Sequence, residues 1–172
     1  MISKKTKKKP IIGFTCSTFD LCHAGHMRML KDAKKVCDYL IVGLQDDPST
    51  TSDNDYRLKT GGKLKNTPIM SLEERKEILE GIKYIDEIFI YTTEEDLYEK
   101  IKKLKYDVRI LGSDWKGKKY TGWDLPHKAY FHERNHGYST SELRQRIYEA
   151  EKERLQSVTN LFSHKQKQAA KN

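Results

Sequence analysis

The sequence has no long apolar run, and this absence excludes a transmembrane helix. No stretch approaches the roughly 18 consecutive apolar residues that are typical of a membrane-spanning helix. The amino-terminal segment is basic, but the apolar core of a secretory signal does not follow it. We therefore expect a protein with no membrane span and no secretory signal.

Cysteine is scarce as well. The chain has three cysteines, scattered and odd in number, which is not the pattern of a disulfide framework and favours a reducing compartment. A zinc site is also disfavoured, because the spacing Cys16-x5-Cys22-His23-x2-His26 matches no common zinc-binding pattern. We expect a cytoplasmic protein without a dedicated metal site.

The chain has enough residues for one domain and an excess of positive charge. Its 172 residues can bury one hydrophobic core of ordinary size. The net charge of +8 makes a basic nucleic-acid-binding module one alternative function. Much of the excess lies near the two ends, however, where charged runs are usually solvated. The lysines concerned are Lys4, Lys5, Lys7, Lys8, Lys9, Lys165, Lys167 and Lys171.

This distribution of charge and apolar residues predicts three segments. We expect a basic disordered tail over 1–10, a folded domain over 11–150 and a polar helix that frays into a tail over 151–172. Because the positive charge that remains over the body is modest, we do not expect nucleic acid as a partner.

Strands and helices alternate along the folded part. This alternation predicts a doubly wound, Rossmann-like, mainly parallel five-stranded sheet with helices on both faces, and ligands bind such sheets at the carboxyl ends of the strands. Short apolar runs predict strands over 11–15, 39–44, 87–91, 108–111 and 128–131. Periodicity and caps at Ser71, Thr93 and Ser139 predict helices over 26–36, from 71 to about 82, from 93 to about 104, and from 139 onward.

The most informative segment follows the first predicted strand. His23 and His26 stand three positions apart at the start of a predicted helix, with Gly25 between them. Imidazoles at that spacing share one face of the helix, and a helix N-terminus favours an anion. Gly25 has no side chain, so a ligand can approach the backbone there. The segment indicates a polyphosphate site, although a single helical histidine is more often a capping or surface residue.

A second phosphate motif precedes the last predicted helix. An arginine supplies a fork of donors, and cap hydroxyls with first-turn amides supply more. A plain capping box would explain Ser139 and Glu142 but not Arg134 or Gly137. The motif reads Arg134-Asn135-His136-Gly137-Tyr138-Ser139-Thr140-Ser141.

Two further segments carry candidate contacts. The stretch 46–70 has no convincing periodicity, and so long a loop predicts a lid, with a solvent-exposed loop as the alternative. Its cations are Arg57, Lys59, Lys63 and Lys65. In the segment 112–118, Asp114 offers an acceptor for a polyol or ribose hydroxyl, whereas a turn with a buried Trp115 indole is the alternative.

These motifs resemble those of the nucleotidyltransferase superfamily, and within it the cytidylyltransferase family. The first is similar to Gly-Thr-Phe-Asp-x-x-His-x-Gly-His, with Ser17 in place of the leading glycine. The second is similar to Arg-Thr-x-Gly-Ile-Ser-Thr-Thr. The segment 112–118 is similar to the Gly-Asp-Asp-Trp-x-Gly-Lys of the glycerol-3-phosphate branch. Lys83 stands where the family commonly has an arginine. The resemblance covers residues from about 11 to 148.

The resemblance implies an enzyme that transfers CMP from CTP to a small phosphomonoester, most closely glycerol 3-phosphate, and releases pyrophosphate. It also implies Mg²⁺ with the CTP and a homodimer. Alternatives are an ATP-dependent adenylyltransferase of the same superfamily, or a cytidylyltransferase for ethanolamine phosphate, choline phosphate or a sugar-alcohol phosphate. Nothing in the sequence shows a dedicated metal-binding cage.

The family's site residues carry over to matching positions of this chain. The catalytic residues implied are His23, His26, Arg134 and Lys65. The nucleotide-binding residues implied are Thr18, Phe19, His23, Ala24, Gly25, His26, Lys65, Arg134, Asn135, His136, Gly137, Tyr138, Ser139, Thr140 and Ser141. The acceptor-binding residues implied are Lys63, Asp114, Trp115 and Arg75.

Overall fold

A parallel sheet forms the centre of the protein. The computed structural model describes residues 8–49, 58 and 64–169. Within these residues, five strands pair in the order β3-β2-β1-β4-β5, and every pair is parallel. The predicted five-stranded Rossmann-like sheet is confirmed. The strands are β1 Ile12–Ser17, β2 Tyr39–Gln45, β3 Glu87–Tyr91, β4 Val108–Gly112 and β5 Lys128–His132.

The helices of the described chain follow the sequence signals closely. Glu74 N–H donates to Ser71 Oγ at 3.1 Å, and Asp96 N–H donates to Thr93 Oγ1 at 3.1 Å, so both predicted N-caps are confirmed. The first helix ends earlier than predicted, because residues 34–36 form a turn. The helices are α1 Ala24–Ala33, α2 Leu72–Glu80, α3 Glu94–Lys103 and α4 Thr140–Ala169, with a short 3-10 turn at Ser113–Trp115.

Helices cover both faces of the sheet. Leu30 of α1 and Leu79 of α2 pack with Val42 on one face. Leu97 of α3 packs with Ile41 on the other face. Because neighbouring residues of a strand point to opposite faces, Ile41 and Val42 serve two different core clusters. The doubly wound arrangement follows from this alternation.

The strand order places a crevice at the centre of one sheet edge. The chain runs outward from β1 to β2 and β3, and then returns to the other side of β1 to form β4 and β5. The connections after β1 and after β4 therefore leave in opposite directions. In an open parallel sheet, ligands bind at this reversal, outside the carboxyl ends of the strands.

The described chain divides into two compact units, one that ends at His136 and one that begins at Gly137. In the second unit, Glu142 N–H donates to Ser139 Oγ at 3.1 Å, which is the predicted start of the last helix. The sequence predicts a polar helix and tail over 151–172, and α4 runs from Thr140 to Ala169. The predicted domain boundary after residue 150 stays a prediction. Among the described residues, no helix is both long and apolar enough to cross a bilayer.

Candidate active site

The two histidines after β1 are the cap of α1. Gly25 N–H donates to His23 Nδ1 at 3.1 Å, and His23 N–H donates to His26 Nδ1 at 3.4 Å. A ring nitrogen that accepts a hydrogen bond carries no proton, so each ring proton lies on Nε2. The rings are stacked, with centroids 3.9 Å apart. The start of α1 therefore presents two parallel Nε2–H donors beside the positive end of the helix dipole.

The surroundings of His26 keep its ring neutral. Burial lowers the pKa of His26 most, and the positive charges of His23 and Arg134 lower it further against the opposing charge of Asp20, to about 3. At pH 7 the ring is therefore a neutral donor through Nε2, and it does not carry a positive charge.

Gly25 makes room for imidazole rings. A Cβ at this position would lie 2.9 Å from Cε1 of His23 and 3.0 Å from Cε1 of His136. The sequence argument assigned this space to a ligand, but in the structure the two rings occupy it. Burial, together with the charges of Arg28 and Arg134, lowers the pKa of His136 as well. His136 follows β5, so the ends of the first and last strands meet at Gly25.

The turn between β1 and α1 has an unusual backbone. Phe19 has φ = 51° and Leu21 has φ = 46°, a left-handed conformation that bulky side chains rarely adopt. Phe19 is 1% exposed, and its ring centroid lies 5.0 Å from that of His26. The resemblance implies a nucleotide contact for Phe19. The structure instead places its ring in the core, where it supports His26.

Asp20 anchors this turn, and the sequence analysis did not single it out. Its buried carboxylate accepts from Ile69 N–H and Met70 N–H, both at 3.0 Å. The turn is thereby joined to the segment that precedes α2. The sequence does contain a signal for this role, because Asp20 is an acidic residue in the turn just before the histidine pair.

Arg75 requires a correction. The resemblance implies an acceptor contact, but the side chain is 2% exposed and its guanidinium donates to backbone carbonyls. Nη1 donates to Thr18 O at 2.9 Å and to Gln45 O at 2.6 Å, and Nη2 donates to Asp46 O at 2.9 Å. Nε donates to Met70 O at 3.1 Å. Arg75 therefore holds the ends of β1 and β2 together and positions the site from below.

The segment that contains Lys65 lies at the same sheet edge. Thr67 Oγ1 is 2.8 Å from Ser49 Oγ, in the chain that follows β2. The bonds from residues 69 and 70 to Asp20 place the rest of the segment beside the β1–α1 turn. Lys65 is exposed here. Lys63, the other predicted contact in this loop, lies outside the described residues.

Arg134 and Asp114 lie together over the end of β4. Arg134 N–H donates to Ser113 Oγ at 3.2 Å, and Arg134 Nη1 is 3.5 Å from Asp114 Oδ1. A Cβ on Gly112 would overlap Asp114 Oδ1 and lie 3.2 Å from Arg134 Cδ. Both charged side chains are largely exposed. Asp114, predicted to contact the acceptor, is thus the ion-pair partner of the predicted phosphate ligand Arg134.

A buried network fixes the end of β5 against α1. His132 Nδ1 is 2.9 Å from Asp32 Oδ2, which also accepts from Tyr130 Oη at 2.7 Å. Burial alone raises the pKa of Asp32, but hydrogen bonds from Lys35, His132 and Tyr130 outweigh it and lower the pKa to about 2. Asp32 therefore stays ionised and holds β5 in the register that delivers Arg134 and its neighbours.

The remaining predicted residues lie in different surroundings. Ala24 and Asn135 are exposed beside the histidines and Arg134 in sequence. Trp115 lines a pocket between α3 and the β4–β5 connection, with Tyr98 and Trp123. Within the second unit, Ser139 caps α4, and Thr140 and Ser141 form its first turn next to Gly137 and the exposed Tyr138.

Lys83, which departs from the family pattern, lies away from the site. It precedes β3, and so it stands at the amino-terminal edge of the sheet, opposite the histidines. Its ammonium is 5.3 Å from the ring centroid of Tyr84. The exchange of arginine for lysine therefore does not touch the predicted triphosphate site.

The described residues do not provide a metal cage. No group of three or more His, Cys, Asp or Glu side chains among them is arranged to hold a metal ion. Mg²⁺ bound with the nucleotide remains a prediction, and no step below is assigned to it.

Comparison with known proteins places this geometry in a family context. Residues 14–146 match the family model described as cytidylyltransferase-like. The chain is 36% identical over 152 residues to the bifunctional protein HldE of Campylobacter curvus, across 88% of this chain and 30% of that protein. It is 39% identical over 97 residues to an FAD synthase of Ferroglobus placidus, across 56% of this chain and 55% of that protein.

The chain thus spans less than a third of the HldE protein and about half of the FAD synthase. A solved structure, the lipopolysaccharide core biosynthesis protein of Thermoplasma volcanium, matches with a TM-score of 0.55 and 24% identity. This match covers 76% of this chain and 100% of that one, and it supports the fold alone.

The Arg75 bonds predict a large loss of stability in a methionine variant. Arg75→Met removes the guanidinium donors from five buried or partly buried backbone carbonyls, so we expect the free energy of unfolding to fall by at least about 3 kcal/mol. Urea denaturation measures this. The control is Lys76→Met on the same helix, where only a surface pair with Glu80 is lost and the expected change is below about 1 kcal/mol. Equal losses in the two variants would contradict the assignment.

The lowered pKa of His26 predicts an acid-dependent stability difference. The unfolded histidine titrates near its model value of 6.5 and the folded one at about 3, so below pH 6.5 protons bind the unfolded chain first. Relative to His26→Asn, the wild type should therefore lose up to about 1.4 kcal/mol per pH unit as the pH falls from 6 to 4. Denaturation at several pH values measures it. A difference that stays constant across this range would refute the neutral, buried ring.

Proposed function

The chain belongs to the cytidylyltransferase-like family, and from that premise we propose that it transfers the cytidylyl group of CTP to a small phosphomonoester, with glycerol 3-phosphate as the leading acceptor. Pyrophosphate is the second product. The chain covers only part of its curated relatives. The proposal therefore rests on the site of this chain and on its own motifs.

One observation carries the proposal: the paired Nε2–H donors of His23 and His26 at the start of α1. They lie at a helix N-terminus that follows β1, at the crevice of a doubly wound sheet, where phosphate groups bind. Their Nδ1 atoms are held by the backbone, so the donors are oriented before the ligand arrives. Preorganised donors stabilise charge that develops in a transition state without reorganising.

The chemistry needs alignment and charge stabilisation. A phosphomonoester has a second pKa of about 6, so its oxygen is already ionised near pH 7 and needs no general base. That oxygen attacks the α-phosphorus of CTP, a new P–O bond forms, and the bond to the pyrophosphate oxygen breaks. The two histidines donate to the α- and β-phosphate oxygens. Arg134 and Lys65 neutralise the departing pyrophosphate.

The ion pair of Arg134 is compatible with this role. The guanidinium and the Asp114 carboxylate are both largely exposed and 3.5 Å apart. A pair of this kind contributes little to stability, so little is lost when the guanidinium turns to a phosphate. The freed carboxylate then offers an acceptor for a hydroxyl of the ribose or of the acceptor.

The choice of glycerol 3-phosphate rests on the segment 112–118 and its resemblance to the glycerol-phosphate branch. Ethanolamine phosphate, choline phosphate and sugar-alcohol phosphates are the other acceptors in this class. They share the phosphate that attacks and differ in the group that it carries. A panel of phosphomonoesters therefore separates them.

A second candidate, adenylyl transfer from ATP, is favoured by one comparison. The FAD synthase of Ferroglobus placidus makes, by its name, a product that contains an adenylyl group. The residues that would contact the base are not distinguished by the phosphate motifs. The donor must therefore be tested separately from the acceptor.

The donor and acceptor assay has a clear expected outcome. The purified chain is incubated with CTP or ATP and each phosphomonoester, and pyrophosphate release is followed. We expect release with CTP that depends on glycerol 3-phosphate. Pyrophosphate release with ATP but not with CTP supports the second candidate. Release that depends on another phosphomonoester reassigns the acceptor. If no pair of nucleotide and phosphomonoester releases pyrophosphate, the proposal is contradicted.

The histidine roles predict specific kinetic losses. His26→Asn keeps an acceptor near the Nδ1 position but removes the distal donor, so we expect kcat to fall by roughly 10² or more with the fold intact. His23→Asn should behave alike. His26→Gln places an amide N–H near the Nε2 position and should recover part of the loss. His127→Asn, which changes a histidine bonded to Tyr106 and Tyr120, is the matched control. Turnover near wild type in the asparagine variants would defeat the assignment.

A further inference from the structure

A buried arginine on β4 has no carboxylate partner in the part of the chain that the structure describes. Arg109 is 3% exposed, and among the described residues none forms an ion pair with it. Its Nε and Nη1 atoms are buried and have no hydrogen-bond partner among these residues. Its guanidinium carbon lies 4.4 Å from the ring centroid of Phe14. Nη2 donates to Cys16 Sγ at 3.0 Å.

This arrangement requires a counter-charge. Arginine stays protonated in proteins, and an isolated buried charge costs several kcal/mol. The contact with the Phe14 ring offsets part of this cost. The atom that accepts the guanidinium hydrogen bond is the sulfur of Cys16. This sulfur carries a negative charge as a thiolate and none as a thiol. An anion at this sulfur would balance the charge of the Arg109 guanidinium.

Two tyrosines lie close to the sulfur. Burial raises the pKa of Tyr91 at the end of β3, and the Tyr91 side chain forms a hydrogen bond with Cys16. Burial raises the pKa of Tyr106 to about 12, although Arg109 opposes it. Both phenols therefore remain neutral, and Tyr91 acts as a second donor to the sulfur. Glu94 of α3, which accepts from Thr121 Oγ1, is a negative charge near Tyr91 and also raises the pKa of that phenol.

We propose that Arg109 holds Cys16 as a thiolate, and that Cys16 is a site of covalent modification by low-molecular-weight disulfides. Cys16 lies on β1 and is partly buried, so the residue is not wholly enclosed by the core. A thiolate beside a cation is the reactive form of cysteine. In the reaction, the Cys16 thiolate attacks one sulfur of the disulfide. A new S–S bond forms, the old S–S bond breaks, and the other half leaves as a thiolate.

The chain carries its own controls. Burial raises the pKa of Cys22 and of Cys37, and Cys37 Sγ donates to Ala33 O at 3.2 Å. Neither has an arginine beside its sulfur among the contacts of the described residues. The rate of modification at Cys16 should therefore depend on pH differently from the rates at Cys22 and Cys37. This comparison holds even if a reagent reaches the three thiols to different extents.

The first experiment compares alkylation of the three cysteines. The full chain is pulsed with iodoacetamide from pH 5.5 to 9, and each cysteine peptide is quantified by mass spectrometry. We expect the rate at Cys16 to change less than threefold between pH 9 and 6.5, whereas the rates at Cys22 and Cys37 fall about tenfold per unit below pH 8. A Cys16 rate that falls in parallel with theirs, or no labelling of Cys16, overturns the proposal.

Thiolate absorbance near 240 nm gives a second measurement that does not depend on access. The Cys22→Ser/Cys37→Ser chain is titrated against the same chain with Cys16→Ser added. We expect the difference in absorbance to be present at pH 6.5. A difference that develops only near the ordinary cysteine pKa of about 8.5 shows a thiol, and Arg109 then needs another anion.

Arginine variants connect the thiolate to its cause. Arg109→Met removes the charge and should shift the Cys16 titration upward by at least one pH unit, whereas Arg109→Lys keeps a charge and should shift it less. If Arg109→Met does not fold, the wild-type titration decides alone.

Incubation of the wild type with glutathione disulfide should place one glutathionyl group on the Cys16 peptide in preference to the other two cysteine peptides. Equal modification of the three cysteines, or none at Cys16, contradicts the second part of the proposal.

Discussion

Backbone N–H groups at the start of a helix need acceptors, and in this protein two imidazoles supply them. Serine, threonine, asparagine or aspartate usually fills this position, and any of them would cap α1. A histidine does more, because the nitrogen that caps is not the nitrogen that donates. The bonds from Gly25 and His23 backbone groups hold Nδ1 of each ring and so place each proton on Nε2. One local requirement of the helix thereby orients both donors of the candidate site.

The position of this cap depends on a strained turn that long-range contacts hold. Phe19 and Leu21 have left-handed backbone angles, which cost of order 1–3 kcal/mol each and persist only where the surroundings over-determine them. Asp20 and Arg75 provide that restraint, since both are buried and bond backbone groups from separate parts of the chain. The histidines are therefore only as well placed as these two charged side chains allow.

Local signals in the sequence were sufficient for the elements but not for the roles of all site residues. The caps at Ser71 and Thr93 and the apolar strands depend on neighbours in sequence, and the structure confirms them. Arg75 and Phe19 were assigned to ligands from the family resemblance, whereas Arg75 bonds a carbonyl 57 residues away in sequence and Phe19 is buried in the core. Such distant partners leave no periodic signal. Lys83 drew attention because the family commonly has an arginine there, although it precedes β3 and so lies at the opposite edge of the sheet.

The charge of the described site bears on what else must contribute to nucleotide binding. His26 is neutral at pH 7 because burial and nearby cations lower its pKa, and Asp114 balances the charge of Arg134. The paired histidines therefore contribute oriented dipoles, and they do not offset several negative charges of a triphosphate. In the proposed mechanism, release of Arg134 from Asp114 and the cation of Lys65 would supply part of the difference. The sequence has further cations in the segment 46–70, and in the proposed function charge neutralisation and ligand orientation fall to different parts of the chain.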